Sequence, residues 1–206
     1  MATSAYPPGK TFFDTLKQSF VDVPVDKTKD DAVSTTEFLA AAESLVTLFD
    51  VLGSAAFTPV KSDMTGNIRK IRERQLAAPA DSETLQELVV NELKTKKHVA
   101  TEGLLWLTRG LDFTAQALRH NLANSSDELS TSFRASYANT LKPHHSMFVK
   151  PIFSAAMSAT PYRKDFYAKL GEDVEVVKTE LERWLEALEM VVGVLKEFLA
   201  RKEAKW

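Results

Sequence analysis

Lys61-Ser62-Asp63-Met64-Thr65-Gly66-Asn67-Ile68-Arg69-Lys70-Ile71-Arg72 is the stretch on which the reading of this chain turns. It has no strand alternation. Met64, Ile68 and Ile71 fall at i, i+4 and i+7, the spacing that puts three apolar side chains on one helix face. Asp63, Asn67 and Lys70 repeat that spacing on a neighbouring face. They set an acceptor, a carboxamide that can both donate and accept, and a cation in a row. This donor set does not suit a metal ion. Two readings remain open from these residues alone. One is a solvated helix face with an ordinary charge pairing. The other is a hydrogen-bonding strip for a ligand rich in hydroxyls.

The neighbouring sequence is helical in both directions. On the N-terminal side, residues 1–9 read as a loose arm because of Pro7, Pro8 and Gly9, and Thr11 to Phe20 reads as a short helix. Residues 22–33, with Pro24, read as a connector. Ser34-Thr35-Thr36-Glu37 has the form of a capping box. It opens a helix with the stripe Phe38, Ala42, Leu45, Phe49 and Leu52, ended by Gly53-Ser54. Ala55 to Pro59 is a short link into the quoted stretch, which continues to about Leu76.

On the C-terminal side Pro79 breaks the pattern, and Asp81-Ser82 is expected to cap a helix to about Lys97. A long amphipathic helix follows from about Val99 to Asn121. Trp106, Gly110, Phe113 and Ala117 share one of its faces, and Gly103 lies a turn before Trp106. Two glycines beside a tryptophan thin the helix there, so another group can approach closely. Further helices are expected from Asn124–Glu128 to about Leu141, from His144-His145 to about Ser158, and from about Glu172 to Lys202. No repeat, low-complexity tract or strand pattern appears. The wide apolar faces predict an all-α single domain over 1–206, with two layers of helices packed on each other.

Composition narrows the function. The chain has 206 residues, 44% hydrophobic and 26% charged, with a net charge of −2 and no cysteine. That is enough chain for a sizeable core. The charge gives no argument for nucleic acid, and thiol chemistry and zinc–thiolate sites are excluded. No apolar run approaches the ~18 residues of a membrane span and the N-terminus has no signal-peptide core, so a cytoplasmic protein with only peripheral membrane contact is expected. No phosphate loop, nucleophile elbow or His-Glu-x-x-His is present. Glu92 and His98 lack metal-ligand spacing, and Arg69-Lys70-Ile71-Arg72-Glu73-Arg74 is a basic cluster without interleaved aromatics. No enzyme activity, cofactor or metal is therefore expected. A tryptophan on an apolar helix face is most often core. Flanked by glycines at the mouth of an apolar slot, Trp106 can also act as a platform for the C–H face of a sugar ring.

Three stretches carry a resemblance over nearly the whole chain, from about Thr11 to about Phe198. The first is Phe49-Asp-Val-Leu-Gly-Ser-Ala-Ala-Phe57-Thr-Pro-Val-Lys-Ser-Asp63-Met-Thr-Gly-Asn67-Ile-Arg-Lys70-Ile71. The second is Leu105-Trp106-Leu-Thr-Arg109-Gly-Leu-Asp-Phe113. The third is Tyr137-Ala-Asn-Thr-Leu-Lys-Pro-His-His145, followed by Lys150-Pro-Ile-Phe153 and Ala159-Thr-Pro161-Tyr162. Together they resemble the glycolipid transfer protein family, most closely its fungal branch, which includes heterokaryon-incompatibility members.

The resemblance implies a two-layer helical fold with a lipid pocket between the layers. It implies that Asp63, Asn67, Lys70 and Trp106 hold the sugar headgroup of a simple glycosphingolipid (glucosyl-, galactosyl- or lactosylceramide). Asp63 and His145 would take the ceramide amide, and Phe49, Phe57, Phe113, Ala117 and Phe153 would line the chain pocket. The residue chemistry agrees: an amide needs one acceptor and one donor, and leaving either unpaired costs about 1–3 kcal/mol. The ceramide-1-phosphate branch has a cation at the position of Asn67 and an arginine at that of Trp106. An amide and a flat ring suit a neutral sugar instead.

The expected role is energy-independent carriage of glycosphingolipid between membranes by a monomer with transient membrane contact. The alternative is a glycolipid sensor that acts through partner contact or in incompatibility-type cell death. Tyr137, Met147, Phe148 and Tyr162 are the residues expected at the headgroup or membrane surface. The sequence also departs from the animal pattern: Met147 replaces a membrane-docking aromatic, Pro151 a lysine, and Ser158 a tyrosine of the expected pocket wall. Trp206 is the candidate for a C-terminal aromatic that covers the site.

Overall fold

A computed structural model of the chain describes residues 6–206. Most of the expected arm over 1–9 lies outside these residues. Within the rest of it, the Tyr6 hydroxyl donates to the Lys169 carbonyl at 3.2 Å, so this end is tied to the domain. The elements in chain order are β1 (Val25–Asp26), β2 (Ala32–Val33), α1 (Thr35–Val46), α2 (Leu48–Leu52), α3 (Thr58–Ala77), α4 (Leu85–Lys94), α5 (Val99–Ala123), α6 (Leu129–Asn139), α7 (Lys150–Ser158), α8 (Arg163–Leu170) and α9 (Val174–Ala200). The fold is all-α, with two packed layers of helices around one apolar core.

Helix α5 is the hub and packs against α3, α4, α6 and α9. The quoted stretch forms α3, seated by the buried side chains of Val60, Met64, Ile68 and Ile71. Pro59 occupies its first turn, where no backbone N–H is needed. The glycines of α5 explain how α3 comes so close. A Cβ on Gly103 would sit 3.2 Å from the Lys70 Cβ and 3.3 Å from the Asn67 carbonyl oxygen, and one on Gly110 would sit 3.6 Å from the Met64 Cγ. The group that approaches the thinned surface is therefore α3 itself, and the two helices run antiparallel. Glycine here exchanges helix propensity for contact between backbones.

Several expected boundaries move. Thr11–Phe20 is not one helix but two short 3-10 turns, Phe12–Thr15 and Phe20–Asp22. Thr11 and Asp14 close the first turn in a capping box, and Ser19 caps the second. Phe13 and Phe20 then pack on Trp184 of α9, with ring centroids 5.6 and 6.1 Å away. Docking of these rings overrides a continuous helix. The connector over 22–33 contains a small antiparallel pair, Val25↔Val33 and Asp26↔Ala32, turned by Asp30 and Asp31 in left-handed conformations. Two-residue strands are too short to show alternation in sequence.

Ser34 does precede α1, but its hydroxyl bonds the Glu37 carboxylate rather than the helix backbone. Helix α4 is capped by Thr84 with Glu87, not by Asp81-Ser82, and ends at Lys94. His144 and His145 lie in the turns between α6 and α7, since α7 begins only at Lys150.

Candidate functional site

On α3 the strip is connected. Asn67 Nδ2 donates to Asp63 Oδ2 at 3.3 Å, and Lys70 Nζ donates to Asn67 Oδ1 at 3.3 Å. Asn67 is buried, whereas Asp63 reaches solvent. Surrounding atoms still desolvate the Asp63 carboxyl and raise its pKa above the ordinary carboxylate value. The Lys70 charge and the Asn67 hydrogen bond offset part of that rise. The solvated-face reading fails for Asn67, whose amide is held between the two charged groups. The second carboxylate oxygen and the remaining ammonium protons take no part in this chain of bonds.

Trp106 stands on α5 one turn after Gly103, the residue against which Asn67 and Lys70 of the strip pack. The ring is half-buried and packs against the core edge. The His145 ring stacks on it at 5.8 Å between centroids and 21° between planes, and His144 meets it edge-on at 6.5 Å. The Arg109 guanidinium lies over the indole, 4.9 Å from its centroid.

His145 is also held from below. Its Nδ1 lies 3.1 Å from the Tyr137 hydroxyl, and its ring is 4.5 Å from that of Phe153. Burial first, then the charges of His144, Lys150 and Arg109, push the His145 pKa below the ordinary histidine value. Both effects favour the neutral imidazole. One donor-acceptor ring thus lies on the indole, at a recess between α5 and the turns that precede α7.

Beneath the recess the five residues expected to line a chain pocket are buried together. Phe49 and Phe57 are 5.7 Å apart between centroids, and Phe113 and Phe153 are 6.1 Å apart. Phe133, which carried no sequence signal of its own, bridges the two pairs at 6.3 Å from Phe57 and 5.5 Å from Phe113. Ala117 is fully buried. An open cleft of about 310 Å³ runs between α5 and the end of α9. Leu105, Thr108, Arg109, Asn139 and His144 line it, and the Lys196–Asp112 ion pair forms one wall.

Three expectations need correction or relocation. Tyr137 is not a surface residue: it is 5% exposed and its ring stacks on Phe153 at 5.3 Å. Trp206 stacks on His98 at the start of α5, 5.4 Å between centroids, rather than on Trp106. Ser158 is exposed and bonds Arg134 and the Ser154 carbonyl, so it does not line the aromatic cluster. Met147, Phe148 and Tyr162 are exposed, at 75%, 81% and 73%. Sequence reasoning assigned no role to Arg109, although its i+3 spacing from Trp106 was a readable signal for ring contact.

Residues 33–172 match the family model described as glycolipid transfer protein. A glycolipid transfer protein of Aureobasidium melanogenum is 70% identical over 203 residues, which cover 98% of this chain and 100% of that one. The chain belongs to the glycolipid transfer protein family. Among solved structures, the fungal glycolipid transfer protein HET-C2 superposes with a TM-score of 0.93 at 64% identity, covering 95% of this chain and 100% of that one. A GLTP-fold structure described as showing how FAPP2 selects simple glycosphingolipids superposes with a TM-score of 0.84 at 31% identity, covering 95% and 98%. Mouse ceramide-1-phosphate transfer protein superposes with a TM-score of 0.81 at 26% identity over the same shares, 95% and 98%.

The glycolipid transfer protein fold is thus shared by proteins named for different headgroups. The fold alone does not choose between a sugar and a phosphate, and the side chains at the recess have to decide it. No helix among the described residues is long and apolar enough to cross a membrane, and no group of three metal-ligating side chains occurs among them.

Proposed function

We propose that this protein is a glycolipid carrier that binds simple glycosphingolipids by headgroup and ceramide and moves them between membranes without an energy source. The observation that carries this reading is the hydrogen-bonded strip of Asp63, Asn67 and Lys70, packed against Gly103 one turn before Trp106. The indole takes the apolar face of the first sugar, and the strip takes its edge hydroxyls. Asp63 accepts from the ceramide N–H, and His145 donates to the ceramide carbonyl. The cleft lined by Leu105, Arg109 and His144 leaves room for a second ring. Asn67 and Trp106 stand where a phosphate-binding site would need cations, so a neutral headgroup is favoured.

The apolar part follows from transfer energetics. Each lipid methylene costs about 0.8 kcal/mol to expose to water. A pocket of phenylalanines replaces membrane contacts one for one, which makes extraction nearly neutral and leaves the concentration gradient to set the direction. The rings of Phe49, Phe57, Phe113, Phe133 and Phe153 now rest on one another. A lipid chain enters by parting them. Met147 and Phe148, on the turn before α7, and Tyr162 are the apolar groups that touch the membrane during exchange. The activity is binding and release rather than covalent chemistry, and it needs no cofactor.

The test is transfer of glucosylceramide and of ceramide-1-phosphate between vesicles. Wild type should transfer the first and not the second. Trp106→Ala should lower glucosylceramide transfer at least ~10-fold, while Trp106→Phe retains part of it. Normal transfer by Trp106→Ala would overturn the stacking assignment. Tight binding with negligible transfer would favour the sensor reading instead.

A further inference from the structure

Tyr137 carries no role in the headgroup strip or the chain pocket, yet it is a buried residue whose hydroxyl contacts His145. Its hydroxyl sits at the end of a packed ring. Phe153 stacks on that ring at 5.3 Å and 10°, and Phe113 meets its edge at 6.3 Å. The partner of the hydroxyl is His145 Nδ1 at 3.1 Å. A phenol carries one hydrogen that needs an acceptor, and an unpaired buried donor is penalised. Burial raises the pKa of the phenol, so that hydrogen stays on.

A neutral imidazole has one N–H and one bare nitrogen. If Nδ1 carried the hydrogen, it would donate to the phenol oxygen and strand the phenol hydrogen. If Nδ1 is bare, it accepts that hydrogen, and both groups are satisfied. The second arrangement puts the remaining imidazole hydrogen on Nε2, the nitrogen not engaged by Tyr137.

We infer that Tyr137 is a positioning residue that locks His145 in the Nε2–H tautomer, so that His145 presents a donor, and never a bare acceptor, to the recess. Phe153 completes the clamp by fixing the ring plane, 4.5 Å from the imidazole. The recess then has a set polarity. Asp63 can only accept and His145 can only donate, so the pair reads an amide in one direction, N–H toward Asp63 and C=O toward His145. This inference deepens the glycolipid reading and rests on it for the identity of the amide; the tautomer itself does not.

The test begins on lipid-free full-length protein. Long-range proton–nitrogen correlation spectra of ¹⁵N-histidine-labelled protein at pH 7.5 separate a bare Nδ1 from an N–H Nδ1. We expect His145 of the wild type to show Nε2–H alone. Tyr137→Phe keeps the stacked ring and removes only the hydroxyl. It should let the Nδ1–H form appear, with the tautomer ratio falling ~5-fold, the value of one typical hydrogen bond. A wild-type spectrum dominated by Nδ1–H, or a Tyr137→Phe spectrum unchanged from wild type, would overturn the inference.

A second arm uses glucosylceramide and an analogue with an ether in place of the amide. Tyr137→Phe should weaken binding of the amide lipid several-fold and leave the analogue, already weak, unchanged. Equal loss for both lipids would mean a merely structural role for the hydroxyl and would also overturn the inference. The expected tautomer together with wild-type binding of the amide lipid by His145→Phe would leave Tyr137 as tautomer-setter but sink the ceramide reading, so the two failures are distinguishable.

Discussion

The three glycines on the α3–α5 pair make a graded test of how the site is assembled. An added methyl gains about 1 kcal/mol of helix propensity at any of them. What it meets differs. At Gly66 a Cβ meets nothing within 4 Å, and at Gly110 it meets the flexible Met64 side chain at an ordinary 3.6 Å. At Gly103 it meets the Asn67 backbone carbonyl at 3.3 Å and the Lys70 Cβ at 3.2 Å, close to two points of a rigid helix. Overpacking of that kind costs typically 1–3 kcal/mol, so roughly 0–2 kcal/mol of net destabilisation is expected there.

For a chain of this length 1 kcal/mol is about 2–4 °C in Tm. Gly66→Ala should therefore raise Tm by about 2–4 °C, Gly110→Ala should raise it by a similar or smaller amount, and Gly103→Ala should leave it level or lower it by up to ~8 °C. The functional signature is sharper. Only Gly103→Ala pushes Asn67 and Lys70 away from Trp106, and loss of one well-placed hydrogen bond should weaken glucosylceramide binding ~5-fold. Thermal melts and titration of the Trp106 emission with glucosylceramide in mixed micelles read the two effects. A Gly103→Ala protein stabilised like Gly66→Ala, with wild-type affinity, would refute the claim that backbone contact builds the headgroup strip.

Asp63→Asn should bind glucosylceramide ~10- to 100-fold more weakly in the same titration, because a hydrogen bond to a charged group is lost. It should nevertheless raise the Tm of the lipid-free protein at pH 7, since the raised folded pKa of Asp63 means its charged form is penalised on folding. Stability from this group is present below pH ~3.8 and is lost as pH rises through the raised value. His145 has the opposite sign. Its depressed folded pKa gives stability that is present above pH ~6.5 and lost as pH falls through the folded value. Tm should therefore decline below pH ~6.5, and His145→Gln should flatten part of that decline. A profile identical in both proteins would count against a neutral, half-buried His145. Phe148→Ala should slow vesicle-to-vesicle transfer by ~30-fold, since a phenylalanine contributes about 2 kcal/mol when it leaves water, without changing affinity in micelles. Unchanged transfer would remove the exposed turn before α7 from the docking surface.

The sequence by itself determined the class of fold and the chemical inventory of the site. Period-3.6 burial of Met64, Ile68 and Ile71 fixed α3, and that same helix placed Asp63, Asn67 and Lys70 in one row, because both are properties of a single helix. The Trp106 segment was equally legible on α5. Where expectation failed, the deciding contact came from elsewhere in the chain. The aromatics near the N-terminus were bent into two short turns by Trp184, some 160 residues away.

Tyr137, read from sequence as a headgroup or membrane contact, is buried because Phe113, Phe153 and His145 close around it. Only the tertiary structure decided that the two glycines of α5 admit α3 rather than a ligand, and that the strip therefore packs on α5 one turn before the indole. Spacing along a helix specifies which side chains share a face. It holds no information about which other face they will meet, since that meeting depends on shape complementarity between segments remote in sequence.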